Sequence, residues 1–149
     1  MKSLSIRLGV TLVIIGLGLF TYARVWGEDW KYIGEGGNGT FWWYDTQGMT
    51  NNPNRIIQVW VKKVKADEII DMVKSGRKLT VSELEQMTSE KNSERFLMEI
   101  DCVEKTVNLL QKLNYDSKSV LKGGESRPGA KESIPTDSVG ERLYKAVCK

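Results

Sequence analysis

The sequence predicts a small α+β domain that is exported. Strand-like and helix-like apolar periods both recur between Trp30 and Val147, an uncharged apolar run precedes them, and 149 residues leave room for one modest domain. A two-domain enzyme is excluded. The formal charge of +3 comes from Lys2, Arg7 and Arg24: no acidic residue precedes Glu28, and from Glu28 onward 19 basic residues meet 19 acidic ones. A domain that binds a nucleic-acid backbone needs a cationic excess to displace counterions from phosphate, so this balance argues against nucleic acid as a partner.

The amino terminus has the layout of a secretory signal. Lys2 and Arg7 give a basic start, Leu8 to Phe20 (LGVTLVIIGLGLF) an apolar middle, and small residues an exit. The uncharged run ends at Ala23 and falls short of the roughly 20 residues needed to cross ~30 Å of hydrocarbon, so the expectation is cleavage with no stable membrane insertion afterwards. Val25 and Gly27 favour a cut that leaves Glu28 first, and Thr21 and Ala23 offer an earlier one. The expected division is a signal peptide over 1–27 and a domain over 28–149. No cysteine lies near either cut to carry a lipid.

Along the remaining chain, Trp30 to Ile33 reads as a short strand and Gly34 to Gly39 (GEGGNG) as a loop. That loop ends in no Gly-Lys-Ser or Gly-Lys-Thr and has no GxGxxG spacing between strand and helix, so it is no phosphate cradle. Thr40 to Asp45 (TFWWYD) alternates Phe41 and Trp43 with Trp42 and Tyr44, and both faces need cover. Thr46 to Asn54 should turn the chain. Ile56 to Lys65 (IIQVWVKKVK) is the clearest strand: Ile57, Val59 and Val61 form a core face, and Ile56, Trp60 and Val64 lie on a partly covered second face.

Ala66 to Ser75 reads as a helix ended by Gly76. Thr80 opens another, with Glu83 completing a capping box and Leu79 and Leu84 placed as a hydrophobic staple. Glu94 to Cys102 (ERFLMEIDC) alternates with Phe96, Met98, Ile100 and Cys102 inward. Val103 to Leu113 fits strand and helix periods alike. Gly123 to Ser133 is expected to be a mobile loop. Ser138 and Glu141 form a second capping box before a helix whose stripe is Val139, Leu143, Tyr144 and Val147.

An oxidising compartment lets Cys102 and Cys148 pair. The expected intrachain bridge would close a loop of about 46 residues, worth on the order of 4 kcal/mol in the chain-entropy model, and would pin the last helix onto the sheet. An intermolecular bridge and a reactive thiol are the alternatives. The chain has no histidine, which excludes Ser-His-Asp and Cys-His catalysis and histidine-ligated metal sites. Asp67, Asp71, Glu99, Asp101 and Glu104 form neither a calcium-loop spacing nor a required acid and base pair. The expectation is no enzyme, no catalytic residue, no cofactor and no metal.

Several motifs, in order, resemble the surface-adhesin protein E-like domain of exported bacterial proteins. They are WKYIG (Trp30 to Gly34), the aromatic strand ending in Tyr44 and Asp45, VWVK (Val59 to Lys62) and EIDC (Glu99 to Cys102). YD (Tyr115 and Asp116), IP (Ile134 and Pro135) and ERLYKAVC (Glu141 to Cys148) complete them. The resemblance implies a small antiparallel sheet with packed helices, one intrachain disulfide between Cys102 and Cys148, and a strand for Val103 to Leu113. The family's name-giving member is a lipid-anchored outer-membrane adhesin that binds host proteins and can dimerise, but no stretch here carries over its ligand-binding residues.

The functional expectation is an exported, non-enzymatic protein-binding or adhesin-like domain in the periplasm or at the cell surface. Its partner is a protein, with a homodimer as one form, and its interaction surface is the extra aromatic face around Trp42, Tyr44 and Trp60. The alternative is a periplasmic structural or envelope-assembly component, in which the same residues are buried.

Overall fold

The computed structural model describes residues 28–126 and 129–149; the expected signal peptide lies outside the described residues. The strands are β1 (Trp30–Gly36), β2 (Thr40–Asp45), β3 (Thr50–Asn51), β4 (Ile56–Lys65), β5 (Ser93–Asp101), β6 (Thr106–Tyr115), β7 (Leu121–Ser126) and β8 (Glu132–Ser133). The helices are α1 (Asp67–Lys74), α2 (Val81–Ser89) and α3 (Val139–Val147). Antiparallel pairing runs β1-β2-β4-β5-β6-β7, with β3 on β4 and β8 on β6. This is an α+β fold with helices packed on both faces of one antiparallel sheet.

Alternation within the strands divides the core in two, because cross-strand partners share a face. Ile57, Val59 and Val61 of β4 meet Ile100 of β5, Cys102, Ile134, and Leu143 and Val147 of α3 on one face. Phe41 and Trp43 of β2 meet Val64, Ala66, Ile69 of α1 and Leu84 of α2 on the other. Both faces of the aromatic strand are therefore covered, as its alternation requires. Val64 is buried with the second group, so the second face of β4 is core at one end and half-buried at Trp60.

Local chemistry sets the ends of the elements. Thr80 Oγ1 accepts the Glu83 N–H at 3.2 Å and the Glu83 carboxylate accepts the Thr80 N–H at 2.8 Å, a reciprocal box worth about 1 kcal/mol. At α3 the box is displaced: Ser138 Oγ accepts the Glu141 N–H at 3.0 Å, but the Glu141 carboxylate accepts the N–H of Asp137, one residue before the expected partner. Gly39, between β1 and β2, holds φ +69°, and a Cβ there would lie 2.8 Å from an Asp67 carboxylate oxygen. The hairpin is thereby closed down onto the start of α1.

Three expectations change. β1 runs on to Gly36, so the loop is shorter than GEGGNG. Val103 to Leu113 is neither one strand nor a helix throughout: the Asp101 carboxylate accepts the N–H groups of Val103 and Glu104, both at 3.0 Å, and turns the chain into β6 at Thr106. These backbone hydrogen bonds, foremost that of Glu104, hold the Asp101 carboxyl below its ordinary pKa. Gly123 to Ser133 contains strands, since Leu121–Ser126 and Glu132–Ser133 both pair with β6. Gly124 lies so close to β6 that a Cβ would stand 2.5 Å from Leu113 Cδ2, so the residue that reads as a loop signal is what allows the pairing.

The disulfide joins Cys102, just past β5, to Cys148, the C-cap of α3, with Cα atoms 5.5 Å apart. Tyr144 Oη reinforces it by donating to the Cys102 carbonyl at 3.1 Å.

Candidate functional site

The three aromatic residues expected to form one surface are divided by strand register. Tyr44 pairs with Val61 and Trp42 with Lys63, which places both on the α3 face of the sheet, whereas Trp60 pairs with Leu97 on the opposite face. Trp42 and Tyr44 are half-buried and pack against the first core group. The Trp42 ring stacks on Phe96 at 5.8 Å and its Nε1 donates to Thr40 Oγ1 at 3.1 Å. Beside them Lys63 and Lys112 both pair with Glu94. Burial alone would raise the Glu94 carboxyl, but hydrogen bonds from Lys112 and Lys63 outweigh it and hold the pKa below its ordinary value.

Trp60 stands in a different setting. It lines a cleft of about 180 Å³ with Glu28, Trp30, Asp45, Arg95, Leu113 and Tyr115. Residues of β1, β2, β4, β5 and β6 and the segment before β1 make its walls, and no residue of the three described helices contributes. Trp60, Leu97 and Leu113 also belong to neither buried group.

The charges at this cleft are unusual. Register sets Lys62 of β4 directly opposite Arg95 of β5, and like charges in that relation are destabilising. Aromatic faces offset part of the cost. The Arg95 guanidinium lies 4.2 Å from the Tyr115 ring centre and 5.4 Å from that of Trp30, and Lys62 Nζ lies 4.8 Å from Trp30 and 5.1 Å from Trp43. Burial pushes the Lys62 ammonium below its ordinary pKa, and the charge of Arg95 adds to the effect. Lys62 forms no salt bridge among the described residues. Arg95 pairs with Glu28, whose other carboxylate oxygen accepts the Trp30 indole N–H at 3.0 Å. The Arg95 Nε is buried without a partner.

Asp45 closes one end of the cleft, but its Oδ1 is occupied by the N–H groups of Asp29 at 3.1 Å and Gln47 at 3.0 Å. Such an arrangement can bind; it offers no nucleophile with a base. Among the described residues no group of three or more His, Cys, Asp or Glu side chains could hold a metal ion, and no helix is long and apolar enough to cross a membrane.

A family model described as surface-adhesin protein E matches residues 30–149. The chain belongs to the surface-adhesin protein E family. Neither a curated protein nor a solved structure gives a match. Membership in this adhesin family accords with a non-enzymatic protein, and the matched span contains all eight strands, all three described helices and both cysteines. Of the cleft residues, sequence reasoning singled out Trp60 alone. Trp30, Arg95, Leu113 and Tyr115 carried a usable signal, since each sits in an alternating strand, but they come from three strands whose mutual register the sequence does not show.

Proposed function

We propose that this member of the surface-adhesin protein E family is an exported, non-enzymatic protein-binding domain. Residues 1–27 serve as its export signal, and the oxidised domain works in the periplasm or at the cell surface. Its interaction surface centres on Trp60, while Trp42 and Tyr44 form a secondary patch on the opposite face that also serves the core. One observation carries this reading: a half-buried Trp60 lines a strand-walled cleft to which no described helix contributes. Aromatic and arginine side chains at the centre of a concave surface are the groups that dominate protein interfaces.

The test is photocrosslinking in native cells from a photoreactive amino acid at position 60, with position 81 as the comparison because Val81 is exposed on α2. A discrete protein adduct from position 60 and none from position 81 is expected. Equal adducts from both would favour the alternative, a structural or envelope-assembly part held on several sides; none from either would contradict protein binding.

A further inference from the structure

The charge balance of the Trp60 cleft depends on one residue at the edge of the described chain. With Glu28 in place, its carboxylate pairs with Arg95 and acts on Lys62 opposite; without it, a half-buried pair of facing cations loses that negative charge. Glu28 is also the member most easily moved. It is exposed, whereas the next residue is tied down: the Asp29 N–H donates to Asp45, and the Asp29 carbonyl accepts the Thr46 N–H at 2.9 Å. The backbone is thus fixed from Asp29 onward and the Glu28 side chain reaches back over the cleft to Arg95 and Trp30. Any ligand that displaces it must supply an anion, because an uncompensated buried cation is costly.

We propose that the cleft receives a glutamate or aspartate side chain from an extended acidic segment of a partner polypeptide, which pairs with Arg95 in place of Glu28. The inference rests on the protein-binding reading above. Its occupant is argued from the one already seated: a glutamate on an extended chain segment fits between Arg95 and the Trp30 indole. The size agrees. Even beside the seated Glu28, which lines it, the cleft leaves only about 180 Å³, room for one incoming side chain and well below the several hundred Å³ typical of sites that enclose a larger ligand. Trp60, Leu113 and Tyr115 would flank the incoming residue and exclude water from its charge pair. Glu28 then acts as an intramolecular competitor that weakens binding in proportion to the time it occupies the site.

The experiment titrates the chain, purified in the form the cell accumulates, with short poly-L-glutamate, and in parallel with hyaluronan oligosaccharides as the carbohydrate source of carboxylates. Glu28→Gln should bind poly-L-glutamate about threefold to tenfold more tightly than the wild type, and Arg95→Gln should bind at least tenfold more weakly. As a second readout that needs no Arg95 variant, the Trp30 indole N–H resonance of the wild type should shift on titration as the incoming carboxylate replaces that of Glu28. No gain in Glu28→Gln, or an unmoved Trp30 resonance, overturns the proposal. Stronger binding of hyaluronan than of poly-L-glutamate overturns the polypeptide source. If position 60 still crosslinks a protein in cells while these titrations fail, the acidic occupant is wrong and the protein-binding reading stands; if both fail, both fall.

Discussion

Glu94 shows how single residues on this sheet are tuned by their cross-strand neighbours. Its carboxylate bridges Lys63 of β4 and Lys112 of β6, and its pKa lies below the ordinary value. A carboxylate depressed in the folded state contributes stability that is fully present above its unfolded pKa and is lost as the pH falls through the folded one. Glu94→Gln should therefore cost about 1 kcal/mol or less at about pH 7, and the difference from wild type should fade by about pH 3, where both chains carry a neutral group. Urea unfolding at the two pH values checks this; a penalty unchanged in acid would mean that packing rather than charge gives Glu94 its value. At this scale the sequence was informative about side-chain direction within a strand: Phe41 and Trp43 point into one core group, and Trp42 and Tyr44 face the other. It was silent on which residues of neighbouring strands stand together. Grouping Trp60 with Trp42 and Tyr44 needed a register that differs by one residue from the real one, and one residue inverts the face.

Among the elements, α3 depends most on a covalent tie. Its apolar stripe buries Leu143 and Val147 against the β4 and β5 face, and the Cys102–Cys148 bridge fixes its last turn. Replacing both cysteines by serine removes a loop constraint of 46 residues and should cost about 4 kcal/mol, lowering the melting temperature by more than about 10 °C. Calorimetry of the oxidised and double-serine proteins measures it; a loss under about 1 kcal/mol would show that the helix is held by packing alone. Element type was legible where one period dominated, as in β4 and α3, and at Thr80, where the capping box has the expected partners. It was ambiguous over Val103 to Leu113, where apolar residues satisfy both periods, because pairing with β5 rather than local preference decides the conformation. It failed over Gly123 to Ser133 for a related reason: Gly124 is a strand residue here because β6 comes too near for a side chain.

In the molecule as a whole, a single sheet carries two core groups on opposite faces, and its strands wall the Trp60 cleft. The aromatic and charged residues of that cleft are brought together from β1, β2, β4, β5, β6 and the segment before β1, so the candidate site exists only in the assembled sheet. The α+β class and the disulfide were readable from periodicity, cysteine count and family resemblance; the cleft was not, because it is a property of register. The central claim is that this domain matures outside the reducing cytoplasm and presents the cleft there. Its most direct test is the non-reducing intact mass of the protein recovered from its native cells. The account predicts a chain beginning at Glu28 and two hydrogens lighter than its reduced form. A full-length chain with two free thiols would contradict it.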